Sequence, residues 1–462
     1  MGRPNSDVPG AVLFAHSSIR FRYLITAAVC IGVGGGVLAS AYYYLLELGL
    51  ATAWGPLHSA LTAAFGGDAL ARGLALVAVT TLGGLCVGVI LRFMGVPGEI
   101  AAVVNNIHVH NGRLDIQQTP AMTAVSLVSI TAGGSAGPEA PLVQIIGSLG
   151  SWLGDKLRWT AHVRTLTFCG MAAALGAFFG APLGGALFAL EIPHRNGLEY
   201  YEALIPSLTA AYVSYFIFLV LVHPEAPLLT FAGQPEALAV PMAQAMALGA
   251  AGALVALLFM FIFRKIGEWL ERWERHRIAL ATFAGFAIGA LAVTVPEGLH
   301  LNVLFWSEHQ LQDVYDGLGT FQAIGIGSAL LWLAWAALAK MAAIGFTLHG
   351  GLRGGFIFPL FFLGAVTGMA IHLVTGGWVS LPVAMLCTMS AVNVAVTRTP
   401  ISSTIILTTL SDTHMLPIIG AASITSFLLT SRVVLIVTQR RRESIVPARP
   451  SIPTWHDVTA AE

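Results

Sequence analysis

The chain has 462 residues, 56% of them hydrophobic and only 10% charged, with 23 basic residues balanced by 23 acidic ones. A soluble domain carries about 25% charged residues, so a water-exposed globule is excluded, and the neutral balance offers no basic stripe for nucleic acid. The length allows on the order of ten to sixteen membrane segments. Apolar runs such as Ala245 to Phe263 are unbroken rather than alternating, which excludes barrel strands and leaves helices.

From the N-terminus, Met1 to Ser6 fits a loose acylation pattern, which a multispanning chain does not need. The first apolar run, Leu24 to Leu50, is too long for a cleaved signal and is expected to remain as a span. Arg3, Arg20 and Arg22 precede it, and residues 51 to 71 contain no Lys or Arg. The N-terminus (1–20) is therefore expected to be cytoplasmic and the 51–71 loop external. A second span, about Leu74 to Leu91, returns to Arg92 and Arg113, with Lys156, Arg158 and Arg164 on the same side. His108 and His110 sit in a polar loop without further ligands, so no metal is expected.

Gly133-Gly134-Ser135-Ala136-Gly137-Pro138-Glu139-Ala140-Pro141 cannot continue a helix, yet an apolar helix-like run follows at once. It reads as a helix starting inside the membrane. Such an N-terminus presents free N–H groups and the positive end of a dipole, which suits an anion. Glu139 is costly there unless paired, protonated or facing water, so it is read as functional: a competing ligand that leaves when protonated or displaced. Its expected partner is the helix start on which it sits. Further on, Glu191 and Glu202 flank the polar stretch Pro193 to Glu199 and read as solvated helix-end charges.

No basic residue occurs from Leu198 to Phe263; Arg264, Lys265, Arg272, Arg275 and Arg277 then come together, and the next is Lys340. The 242–263 span therefore runs inward and 278–295 outward. The loop holding Glu297, Glu308, Asp313 and Asp316 is then external, and the tail from Arg440 to Arg442 onward (438–462) cytoplasmic. Cys30, Cys86, Cys169 and Cys387 lie in apolar runs without pairing motifs and read as small core residues.

At an offset of 218 residues, Gly133, Gly137, Pro141, Leu142 and Gly150 fall on Gly351, Gly355, Pro359, Leu360 and Gly368, and Pro182 falls on Pro400. The same offset lays the outward first span on the inward 242–263 span. The halves, about 21–222 and 239–437, therefore read as inverted repeats, with a substrate site at their midplane interface. Gly350 to Pro359 repeats the anion-suited design from the second half. Close glycine packing would account for one such motif; two in register point to a site.

Three stretches carry a family likeness: Gly137 to Pro141 followed by Val143-Gln144-Ile145, Gly180 to Gly185 with Leu187-Phe188 leading to Glu191, and Gly354 to Pro359. Together they resemble the CLC chloride channel and transporter family over about Phe21 to Val437. The resemblance implies an all-α multi-pass membrane protein of inverted-repeat architecture with interrupted intramembrane helices. It also implies a homodimer in a cell membrane, passing chloride or a similar small anion without a cofactor. It puts Glu139 in the place of the gating glutamate and assigns anion contact to backbone N–H groups of Gly137, Glu139, Ala140, Phe356, Ile357 and Phe358. It further implies that the long-tailed members' pair of cytoplasmic regulatory domains is absent.

Departures from the pattern set further expectations. Ile357 stands where the family has a central aromatic, and Met94 roughly where it has an anion-contacting serine. Met94 and Ile357 are thus expected to line the pore. No tyrosine follows Tyr315, and Ile192 takes the place of an internal glutamate, leaving Glu191 as the nearest carboxylate for a proton route. Weak or absent proton coupling follows, with a proton-coupled chloride or fluoride antiporter as the alternative. Outside transport, an intramembrane hydrolase would need a base near Ser402-Ser403. A cation-coupled carrier should expose helix C-termini instead.

Overall fold

A chain made of unbroken apolar runs has one way to satisfy its backbone in lipid, and every long run is helical in the computed structural model. The structure describes residues 10–159, 162–195, 201–223, 229–231, 239–299, 301–411 and 414–439. Arg3, residues 196–199 of the polar stretch and the tail from Arg440 lie outside the described residues.

The first half comprises α1 (Gly10–Thr52), α2 (His58–Ala64), α3 (Ala69–Met94), α4 (Ile100–Val109), α5 (Thr119–Thr131), α6 (Glu139–Lys156), α7 (Val163–Phe178), α8 (Pro182–Glu191) and α9 (Tyr201–Val222). The second comprises α10 (Ala239–Leu270), α11 (Arg277–Val293), α12 (Glu308–Asp316), α13 (Leu318–Ala323), α14 (Ile326–His349), α15 (Ile357–Val374), α16 (Leu381–Thr397), α17 (Pro400–Leu410) and α18 (Leu416–Leu429). Among the described residues, six helices are long and apolar enough to cross a membrane. Others are too short: α4 and α8, ten residues each, reach about 15 Å against a hydrocarbon core of about 30 Å. These are the interrupted helices.

The repeat offset reappears in the helix starts. Glu139 and Ile357 open α6 and α15, Val163 and Leu381 open α7 and α16, and Pro182 and Pro400 open α8 and α17. Each pair is 218 residues apart, the separation of Glu139 and Ile357. Proline begins α8 and α17 because the first helical N–H has no partner to lose; Pro141 and Pro359 stand in the first turns of α6 and α15 for the same reason. Every residue of α16 is buried, and α7 is nearly so, which makes this equivalent pair the centre of the packing.

Three expectations need correction. Residues 51 to 71 are mostly helix: the chain runs from α1 through a π-helical turn, Ala53–Leu57, into α2, and the wide turn accommodates Pro56 without breaking the rod. Cys30 and Cys86 are exposed on the outer faces of α1 and α3, and only Cys169 and Cys387 are core residues. Glu191 is 1% exposed rather than solvated, because the start of α17 meets it. Ile401 N (3.2 Å), Ser402 N (3.0 Å) and Ser402 Oγ (2.6 Å) all donate to its carboxylate.

Candidate anion site at the repeat interface

One glycine in each repeat turns the chain out of one helix towards the start of the next. Gly133 follows α5 with φ +94°, and Gly351 follows α14 with φ +91°, a region that side-chain-bearing residues rarely adopt. Each turn leads to a short extended stretch, and the two stretches meet. Gly137 N donates to the Gly355 carbonyl at 2.7 Å, and Gly355 N donates back at 2.6 Å. This antiparallel bridge joins equivalent residues, so the pseudo-two-fold axis passes between them. Ser135 N donates to Thr347 Oγ1 at 3.0 Å, a second tie between the halves.

Immediately beyond the bridge, α6 and α15 begin, with Glu139 and Ile357 as their first residues. The Glu139 carboxylate does not serve its own helix start, as the sequence suggested. Oε1 accepts from Ile357 N at 2.9 Å, across the repeat interface. The crossing is possible because Gly355 and Gly137 have no side chains: a Cβ at either would collide with the Glu139 carboxylate. Glu139 is 1% exposed, and its Oε2 has no hydrogen-bond partner among the described residues.

Beneath Glu139 lies a narrow cavity of about 20 Å³, lined by Ile100, Val143, Leu175, Phe188, Ile192 and Ile357 among others. That is a little more than one ordered water occupies. Its side chains other than Glu139 are apolar, so a small anion there would meet backbone N–H groups and hydrocarbon. The first-turn amides of α6 and α15, including those of Ala140 and Phe358, have no intrahelical acceptor.

The structure brings Glu139, Ala140, Phe356 and Ile357 together around this cavity. Gly137 departs from expectation: its N–H is taken by the Gly355 carbonyl, because the bridge that sets the helix starts uses it. The Phe358 ring packs away, 5.7 Å from both Phe178 and Phe179. Met94, expected to line the pore, ends α3 at 49% exposure, and Ile100 of α4 forms that part of the wall. Glu191 lies outside the cavity lining, occupied by α17.

Three supports were not evident from the sequence. Lys340 is fully buried in α14, and its Nζ donates to the carbonyls of Val303 (3.0 Å), Leu304 (3.1 Å) and Phe305 (2.8 Å). The same loop reaches the turn before the Gly137–Gly355 bridge through Phe305 N, which donates to Gly133 O at 3.5 Å. Trp54, carried on the π-helical turn, donates from Nε1 to Thr131 O at 2.8 Å and stacks edge-on to Phe305. On the opposite approach, Arg353 pairs with Glu99 at 2.9 Å and donates to Pro97 O at 3.2 Å. An arginine next to Gly354 was visible, but its partner residues belong to the other half.

Comparison with known proteins agrees with this geometry. The family model described as "Voltage gated chloride channel" matches residues 83–431. A chloride/fluoride channel protein of Pseudomonas syringae pv. tomato is 28% identical over 371 residues, covering 77% of this chain and 76% of its own. The crystal structure of a CLC-type fluoride/proton antiporter superposes with a TM-score of 0.71 at 18% identity, over 91% of this chain and 98% of that one. That of a slow cyanobacterial chloride/proton antiporter gives 0.72 at 18% identity, over 88% and 95%. With three quarters of its length matched by the family model and the interrupted, inverted helices in place, the chain belongs to the voltage-gated chloride channel, or CLC, family.

Proposed function

We propose that this chain passes small monovalent anions, of the chloride and fluoride class, across a cell membrane, with Glu139 as the gate. The observation that carries the reading is the Glu139 carboxylate on the Ile357 amide at 2.9 Å. A negative side chain holds a donor at a half-helix N-terminus where a mobile anion would bind. Protonation of Glu139, or competition by an anion, frees that donor and opens the cavity below. Ile357 N–H, joined by the first-turn amides of Glu139, Ala140 and Phe358, then takes over the partly dehydrated ion.

The family relationship and the chloride/fluoride name of the Pseudomonas relative support the anion class. The homodimer and the cytoplasmic placement of both termini rest on family resemblance and on the distribution of Lys and Arg. For proton exchange, the carboxylate next in the chain to cavity-lining Ile192 is Glu191, which three donors already hold; this favours passive or weakly coupled transport. Transport is also favoured over hydrolysis. Ser402 Oγ gives its proton to Glu191, and Ser403 Oγ bonds to Asn393 and Thr399, so neither serine is paired with a histidine base.

The test is efflux from vesicles loaded with potassium chloride or potassium fluoride and containing the purified protein. Anion release on adding a potassium ionophore supports the reading. Potassium flux through the protein itself, without anion flux, contradicts it.

A further inference from the structure

A second cavity, of about 660 Å³, lies between the end of α3 and the start of α11, well away from Glu139. Four cationic or N–H-bearing side chains line it: Arg92, Arg275, His276 and Arg277. Among the described residues none of the four has an ion-pair or side-chain hydrogen-bond partner. Glu274 is the chain neighbour of Arg275 and Glu271 lies four residues before it, and neither pairs with any of the four. The start of α11 has no side-chain cap, so its first amides add donors at the same end. A wall that carries three arginines and no carboxylate suits a multiply accepting anion, and arginine forks match phosphate oxygens.

The residues around the cavity point to the source of that phosphate. Trp269 and Trp273, 44% and 50% exposed, stand beside Arg272 and Arg275 where α10 ends. Exposed tryptophans beside basic residues mark the headgroup level, and an excess of Lys and Arg marks the cytoplasmic leaflet. The remaining wall includes Leu91 and Ile278, with Phe93 exposed nearby at 82%. A dissolved phosphate would leave that apolar surface unused, whereas the glycerol and first acyl carbons of a lipid would cover it. Basic pockets between spans on the cytoplasmic side suit anionic headgroups.

We propose that this cavity binds the phosphate headgroup of an anionic phospholipid, held by Arg92, Arg275 and Arg277. The site is separate from the anion pathway, but α3 links the two: a Cβ at Gly351 would lie 3.1 Å from the Leu91 side chain, so the cavity wall touches the turn that leads to Gly355.

The experiment is native mass spectrometry on the full-length, delipidated protein titrated with phosphatidylglycerol, with phosphatidylcholine as the zwitterionic comparison and inorganic phosphate as competitor. The expected result is one tightly held phosphatidylglycerol per subunit, weaker phosphatidylcholine, and little competition from inorganic phosphate. Arg92→Gln, Arg275→Gln and Arg277→Gln combined should weaken that binding at least about tenfold, and the three Arg→Lys substitutions should restore part of it. All three arginines are exposed, so the variants should keep the wild-type melting temperature; the single Arg275→Gln variant provides the same comparison with the least perturbation. Equal binding of both lipids, undiminished binding in the glutamine variants, or displacement by inorganic phosphate at equal concentration overturns the proposal.

Discussion

Glu139 and Ile357 are bonded to each other and are also each other's equivalents, 218 residues apart, the first residues of two half-helices related by the repeat. The inversion brings the two N-termini together, and only one of the two equivalent positions carries a carboxylate. The site is therefore symmetric in its backbone and asymmetric in its charge. On the proposed reading, the inverted duplication supplies the pair of helix starts for an anion, and glutamate on one side with isoleucine on the other supplies the gate.

If Gly355 exists to admit the carboxylate, Gly355→Ala should displace Glu139 rather than disrupt the fold. A Cβ there meets only Glu139 side-chain atoms among its nearest neighbours, and the backbone bridge to Gly137 needs no side chain. The variant should show raised anion flux, and combining it with Glu139→Ala should give no more than Glu139→Ala alone. Additive effects in that double-mutant cycle would mean that residue 355 acts on the pathway independently.

Lys340 has a testable structural load. Its ammonium is the donor to three consecutive carbonyls, and an unsatisfied buried acceptor costs about 1–3 kcal/mol. Lys340→Met should lower the melting temperature and reduce flux, because the loop it anchors contacts Gly133 O. A thermal scan alongside flux separates the two effects. Unchanged stability would show that the loop is held by Trp54 and Phe305 without the lysine.

Glu191 distinguishes a cap from a proton relay. Glu191→Gln keeps one acceptor oxygen for the three donors of α17 and removes the titratable proton. The variant should lose about 1–3 kcal/mol of stability, with proton movement in a chloride gradient no different from wild type. Uphill proton transport in a fixed ratio to chloride, abolished by this substitution, would establish Glu191 as part of a coupled route.

Selectivity should be weak. The cavity wall of Ile100, Val143, Leu175, Phe188, Ile192 and Ile357 offers no side-chain hydroxyl to hold one halide more firmly than another. Chloride, bromide and nitrate should therefore leave vesicles at comparable rates. A preference of more than about a hundredfold, worth about 2.8 kcal/mol, would require a polar ligand that the wall does not contain.

The repeat, the two helix starts and the place of Glu139 at the first of them were legible in the sequence, because glycine and proline constrain the backbone locally and recur at a fixed offset. Pairings across the repeat were not. The direction of the Glu139 side chain depends on Gly355, 216 positions later, and Arg353 is separated from Pro97 by 256 residues. No periodicity encodes such contacts. Met94 was placed by analogy with a motif this chain lacks, and the burial of Glu191 was hidden because its partners belong to α17. Residues 51 to 71 were read as a loop from their lack of Lys and Arg, a signal that reports the side of the membrane and not the backbone, so the π-helical turn around Pro56 went unseen.

Whether Glu139 competes with the anion is decided by chloride efflux from vesicles containing wild type, Glu139→Gln and Glu139→Ala, compared across acid and neutral pH. A carboxylate bond to the Ile357 amide contributes about 1.5–3 kcal/mol, so losing it should shift the occupancy of that donor by about 10- to 140-fold. In the wild type, protonation removes the charge that competes with the ion, so flux should rise as the pH falls. Both variants lack that titration and should conduct at least as fast as the acid-pH wild type, with a flat pH profile. If both variants are folded yet retain the wild-type pH dependence, or if both are inactive at every pH, Glu139 is not the competing ligand of this anion site.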